Sequence, residues 1–213
     1  MDLFGNSNDW ADKLQPIIKN YSGRKHPLEY QNLYQLLVMV VLSAQDSDAN
    51  INTIAPLLFD AYPNMESLAA STADALIPYI SKVRNFGTKT NWLTEIAKTI
   101  QKDSNIPLTM DGLTALKGIG RKSANVIMRE AKMPAVGIIA DLHVIRVAPR
   151  IGLITETKDG IKAEKQLIQV LPQEIWGEIG MAISFLGREI CRPKPKCIEC
   201  PIKEICLYYS KNK

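Results

Sequence analysis

The first 190 residues contain no cysteine; all four thiols of this 213-residue chain fall in the last 23. That distribution excludes a disulfide framework spread through the fold, and in a reducing compartment it points to ligation instead. No apolar stretch can cross a bilayer, since the longest, Leu36–Leu42, falls far short of the roughly 20 residues a spanning helix needs. No charged segment followed by an apolar one opens the chain, so no secretory leader is expected, and the cytoplasm is the expected compartment. Runs of alternating polar and apolar residues are missing too, apart from the undecided Val136–Ala140, which is too short to assign. Internal repeats and low-complexity tracts are also lacking, which excludes solenoids and disordered tails.

What is present is an ordinary globular composition, 46% hydrophobic and 23% charged, enough for one large domain or two small ones. The net charge of +4 is unevenly placed. Lys117 to Arg150 holds seven basic residues against Glu130 and Asp141, a net of +5. From Cys191 onward six basic residues oppose two acids, leaving the remainder at about −5. Two basic regions on an acidic body suit a polyanion such as nucleic acid; solvated helix faces are the other reading of the same charges.

The apolar spacing is helical almost throughout. It predicts helices over 27–45, 50–61, 65–69, 73–80, 89–102, 113–117, 123–131, 142–151, 161–171 and 174–186. Ser71-x-x-Asp74 resembles a capping box, and Pro56 is expected to bend its helix or mark its start. The fold class is all-α. The segment Cys191 to Pro201 has too few apolar residues to hold its own shape, and a metal would supply that order.

Within this pattern Leu113-Thr-Ala-Leu-Lys-Gly118-Ile-Gly120-Arg-Lys-Ser-Ala124 reads as two helices joined by a glycine turn. Glycine at both turn positions permits positive φ and close approach of a phosphate, which the N–H groups opening the second helix would bind. Such a hairpin holds a DNA backbone without reading its sequence. The cysteines, spaced C-x5-C-x2-C-x5-C, can hold zinc or an iron–sulfur cluster; the single C-x2-C pair favours a cubane cluster.

LKGIGRKSAN, followed nineteen residues after its lysine by ADLHVIRV, resembles the active-site region of the endonuclease III family of helix-hairpin-helix DNA glycosylases. The Leu42–Asp48 segment, LSAQ-x-x-D, and the cysteine loop are similar to the same family, so the resemblance covers roughly residues 30–208. It implies two helical lobes: a six-helix barrel with the hairpin over 27–135, and a cluster lobe formed by 1–26 with 136–213. Lys122 is then the nucleophile and Asp141 its carboxylate, facing one another across a cleft. Cys191, Cys197, Cys200 and Cys206 are implied ligands of a [4Fe-4S] cluster.

The chemistry needs these residue types. An amine attacks C1′ of the deoxyribose, displaces the base and forms a Schiff base that permits β-elimination of the 3′ phosphate. A lysine requires desolvation and nearby cations, such as Arg121, to react as the free amine. A carboxylate stabilises the cationic sugar. Read in isolation, Lys122 is a solvated lysine and Asp141 a helix N-cap.

The resemblance further implies that Gln45 fills the gap left by the extruded nucleotide and that Asp48 lies near the damage pocket. A second wedge is expected from Val83-Arg-Asn-Phe-Gly-Thr-Lys89, but Arg84 stands at the family's usual glycine and Asn85 at its apolar wedge. Asn85, Lys89, Gly118, Gly120, Arg121, His143, Arg146, Arg192, Lys194 and Lys196 complete the expected DNA contacts. The first cysteine interval is five residues where the family has six.

The expected function is a bifunctional glycosylase and abasic-site lyase acting on oxidised pyrimidines in double-stranded DNA, as a monomer without membrane contact. Its alternatives are a monofunctional mismatch or altered-base glycosylase and a non-catalytic iron–sulfur DNA-binding or redox-sensing protein.

Overall fold

A computed structural model describes residues 7–212. They form twelve α-helices: α1 Ser7–Tyr21, α2 Leu33–Leu42, α3 Asp48–Ala61, α4 Met65–Ala69, α5 Ala73–Ile80, α6 Phe86–Ile100, α7 Met110–Thr114, α8 Arg121–Glu130, α9 Leu142–Ile151, α10 Gly160–Val170, α11 Trp176–Glu189 and α12 Leu207–Lys211. Short 3₁₀ turns supply the rest of the regular structure, and no strand occurs among the described residues. None of these helices is long and apolar enough to cross a membrane.

The chain forms two compact units. One comprises Lys25–Met133; the other takes the described residues of Met1–Arg24 and Pro134–Lys213. In the first, α2 is the core: Tyr34 and every residue from Leu36 to Leu42 are buried. A helix apolar on all sides must be enclosed, and α3, α6 and α8 pack around it. In the second, α11 is the equivalent, buried from Ile179 to Gly187, with α1 and α9 against it. Glycine permits the close packing: a Cβ on Gly180 would meet the Ile139 carbonyl oxygen at 2.6 Å, and one on Gly187 the Cβ of His143 at 2.8 Å.

Several helix ends differ from the periodicity. α2 begins at Leu33, not near Pro27, because the Asn32 side chain accepts the Gln35 N–H as N-cap. Ser47 caps α3, so Pro56 lies inside that helix without starting it. Thr72, one residue after the expected Ser71, caps α5, and Ser71 hydrogen-bonds Leu68 O instead. α6 starts at Phe86, which draws Lys89 into its first turn. α7 ends at Thr114, three residues earlier than periodicity predicts, while α8 opens at Arg121, two residues earlier, with Lys122 in its first turn. Val136–Ala140 is not a strand; Ile138 to Ala140 are buried in chain without regular secondary structure. α1 had no counterpart in the sequence reading.

The two hairpin glycines do different things. Gly118 has φ +77, and a Cβ there would overlap the Trp92 indole, with Cζ3 at 2.9 Å. Gly120 is extended at φ −94, is the N-cap of α8, and has no atom within 4 Å of an added Cβ. Positive φ is therefore required at Gly118 alone. Gly118→Ala should lose about 2–4 kcal/mol through backbone strain and the indole clash, whereas Gly120→Ala should lose less than about 1 kcal/mol; urea denaturation of both variants measures the contrast.

Candidate active site and cysteine loop

Most polar side chains expected to act lie at or next to a helix end; Arg146 is in the middle of α9 and Lys194 in the loop after α11. Lys122 is exposed in the first turn of α8, directly after the Gly118-Ile119-Gly120 turn. Ala124 to Met128 are buried on all sides of that helix, and Lys122 stays accessible because it precedes them at the helix start. The protein itself does not desolvate Lys122.

Asp141 caps α9. Its Oδ1 accepts the N–H groups of His143 and Val144, both at 2.9 Å, and its Oδ2 accepts the Ser184 hydroxyl at 2.6 Å. Ser184 is fully buried on α11. The N-cap reading is therefore correct, and three donors fix the carboxylate's orientation. Sequence reasoning missed Ser184: it is 43 residues from Asp141, and no local pattern links them.

Three further expectations require adjustment. Lys89 is buried, 1% exposed, and its Nζ donates to Leu42 O and Ala44 O, both at 2.7 Å. The DNA contact expected of it in the wedge loop is corrected, because the ammonium is enclosed and spent on backbone carbonyls. Arg146 donates through Nε to Cys191 O at 3.2 Å and through Nη2 to Gly187 O at 2.8 Å, and it meets His143 Nδ1 at 3.1 Å. Those bonds tie α9 to α11 and to the start of the cysteine loop. Gln45 and Asn85, forty residues apart, are brought together: Asn85 Nδ2 donates to Gln45 Oε1 at 3.4 Å, and both are exposed. Asp48 sits in the first turn of α3, half-buried.

Asp46, which sequence reasoning passed over, joins these two turns. Its Oδ2 accepts the Arg84 N–H at 2.8 Å; its Oδ1 accepts Ser47 N–H at 2.8 Å and Asn50 Nδ2 at 3.0 Å. Burial pushes its carboxyl up, but those hydrogen bonds and the charge of Lys89 together hold it below the usual range.

The four cysteines are free thiols and line one pocket, together with Ile190, Pro195, Tyr208 and Tyr209. Among the described residues no three His, Cys, Asp or Glu are grouped to hold a single metal ion. A mononuclear site needs every sulfur about 2.3 Å from one centre. A ring of thiols around a pocket suits a multi-iron cluster, where each thiolate takes its own iron. Burial raises the Cys200 thiol to about 11, so a cation in that pocket is what would draw it to thiolate.

Arg150 holds this loop at both ends. Its Nη1 donates to Arg192 O at 2.7 Å and lies 3.6 Å from Cys191 Sγ; its Nη2 donates to Pro193 O at 3.2 Å. The guanidinium stacks 5.0 Å from the Tyr208 ring, and the Arg150 carbonyl accepts Cys206 Sγ at 3.4 Å. The signal available in sequence was its spacing, one helical turn beyond Arg146 on α9. Arg192, Lys194 and Lys196 are exposed on the first arm of the loop, with Lys196 3.5 Å from Glu199. Arg150→Gln removes charge-assisted bonds worth about 1.5–3 kcal/mol, so tryptic cleavage after Lys196, the basic residue of that arm not followed by proline, should accelerate about tenfold or more.

The chain matches the model of the HhH-GPD superfamily base excision DNA repair protein over residues 38–173. It is 34% identical over 200 residues to Endonuclease III of Synechocystis sp., covering 92% of this chain and 91% of that protein. It is 36% identical over 196 residues to Endonuclease III of Rickettsia felis, covering 90% and 91%. Among solved structures, a non-covalent Endonuclease III–DNA complex superposes with a TM-score of 0.84 at 29% identity, over 97% of this chain and 98% of that one. A trapped Endonuclease III–DNA covalent intermediate, an estranged-adenine complex, gives 0.84 at 28% identity over the same shares.

Proposed function

The chain belongs to the endonuclease III family of the HhH-GPD superfamily of base excision DNA repair proteins, and on that footing we propose that Lys122 is its nucleophile. The protein is a DNA glycosylase and abasic-site lyase of base excision repair. What carries the assignment of Lys122 is its exposure in the first turn of the helix that follows the glycine turn.

In this reading the hairpin binds the DNA backbone. N–H groups at the start of α8 and the Arg121 side chain meet phosphate oxygens, which delivers C1′ of an extruded nucleotide to Lys122. Contact with the duplex takes Nζ out of water. The amine attacks C1′, the C1′–N bond breaks and its electron pair leaves with the base. Ring opening gives an imine between Nζ and C1′. Loss of a C2′ proton then expels the 3′ phosphate by β-elimination, and water hydrolyses the imine to free Lys122.

Asp141 stabilises the positive charge that builds on the sugar. Its charge is already oriented by two backbone N–H groups and Ser184, so little reorganisation is required when the sugar becomes cationic. Gln45 and Asn85 occupy the space vacated by the nucleotide, and Arg192, Lys194 and Lys196 contact phosphates. The proposed substrate is double-stranded DNA with an oxidised pyrimidine or an abasic site, and the proposed place of action is the cytoplasm or nucleoid.

Cys191, Cys197, Cys200 and Cys206 would hold a [4Fe-4S] cluster, in keeping with their shared pocket. When bound, the cluster supplies thiolate–iron bonds that order the basic loop, and the base-removal chemistry stays with Lys122.

Borohydride reduction in the presence of an abasic duplex should trap a covalent adduct with the wild-type protein and none with Lys122→Ala; absence of the wild-type adduct would overturn the lyase assignment. Asp141→Asn separates capping from charge. Asparagine keeps the two backbone caps but takes the acceptor from the buried Ser184 hydroxyl, so stability should fall by about 1–3 kcal/mol, while base release slows about 100-fold or more. Single-turnover kinetics and thermal melts of the same preparation read the two effects.

A further inference from the structure

A buried ammonium is costly unless it is fully hydrogen-bonded, so an enclosed lysine on the side of a DNA-binding protein requires an explanation. Lys89 is on α6, one turn beyond Asn85, whose carbonyl accepts the Lys89 N–H at 3.2 Å. Its side chain crosses to the end of α2 and donates to Leu42 O and Ala44 O. Those are carbonyls of the final α2 residue and of the residue just before Gln45. Lys89 thus does at this helix end what a C-capping glycine does elsewhere.

The turns on either side of this strap are both strained. Gln45 has φ 60 and Asn85 has φ 58, left-handed conformations that carry a steric cost in residues other than glycine. Such conformations persist only where the surroundings over-determine them. Here four tethers join the two turns: Lys89 to Leu42 and Ala44, Arg84 N–H to Asp46, Asn50 to both Asp46 and Lys82 O, and Asn85 to Gln45. The two exposed amides stand at the tip of this framework.

We propose that Lys89 is a positioning residue which, with Asp46, holds Gln45 and Asn85 as a single preset polar pair that enters duplex DNA where a nucleotide has been extruded. Family members with an apolar wedge gain from stacking; two amides gain only from hydrogen bonds, and hydrogen bonds require fixed geometry. The proposal rests on the role assigned above to Gln45 and Asn85.

The test uses the full chain and a duplex in which 2-aminopurine flanks a tetrahydrofuran abasic analogue, with extrusion followed by stopped-flow fluorescence. Lys89→Met keeps the apolar stem and removes the donors. It should slow extrusion about tenfold or more, and lower the ratio of borohydride trapping on a duplex abasic site to trapping on a single-stranded one by a similar factor. Lys89→Arg, which keeps a charged donor, should recover most of both. Combined with Gln45→Ala and Asn85→Ala, Lys89→Met should add less than about a twofold effect, since coupled residues are not additive.

A Lys89→Met protein that extrudes the nucleotide like wild type overturns the inference. So does one whose tenfold loss persists in full on the Gln45→Ala/Asn85→Ala background. If that double variant itself extrudes like wild type, the gap-filling reading of the pair fails instead, whatever Lys89→Met does. Should Lys89→Met not fold, Asp46→Asn takes its place in every arm with the same expected outcomes.

Discussion

An α-helix ends with backbone groups that its own hydrogen bonds cannot satisfy, and most of the side chains proposed to act in this protein lie at such ends. Asp141 answers the open N–H groups of α9, and the same hydrogen bonds aim its carboxylate. Lys122 stands in the first turn of α8, which follows Gly120 and has no side-chain cap. Lys89 closes the carbonyl end of α2 and thereby sets the turn that carries Gln45. Arg146 takes the Gly187 carbonyl near the end of α11 and the Cys191 carbonyl that starts the cysteine loop. At Asp141, Lys89 and Arg146 one set of hydrogen bonds both closes a helix end or loop and fixes the side chain, whereas the start of α8 has no side-chain cap.

This economy explains why lysines of similar sequence context have different fates. Lys122 and Lys89 both lie in the first turn of a helix following a turn with a left-handed residue. α8 is buried all round from Ala124 to Met128, and Lys122 stays outside because it precedes that stretch in the first turn. α6 is rotated so that residue 89 points into the same core as Leu93 and Ile96, and the ammonium survives there because two carbonyls await it. The decisive factor is whether the residue precedes the buried stretch of its helix or lies within it, together with what lies at the tip of the side chain.

The cysteine loop follows the same logic at larger scale. It has few apolar residues of its own, so its order comes from outside: from Arg150 and Arg146 on α9, and from whatever the four thiols bind. Arg150 reaches the two residues after the first cysteine, inside the interval that is one residue short of the family pattern. Its carbonyl also reaches the last cysteine, so a single helical residue links both ends of the loop.

The amino-acid sequence alone determined the all-helical class, since apolar spacing at the helical period recurs along the chain, and helices such as 142–151 and 65–69 were legible to the residue. It also determined the hairpin and the cysteine spacing, because both are local patterns. Caps were legible only to within a residue or so, since Ser71 and Thr72 are chemically alike and only the chain's path selects between them. Tertiary structure alone decided that Lys89 is enclosed, that Ser184 orients Asp141, that Gln45 and Asn85 touch, and that Gly118 must be bare to admit Trp92. Each of these is a contact between residues some 26 to 47 positions apart, and no period or propensity along a chain encodes which distant side chain will fill a given space.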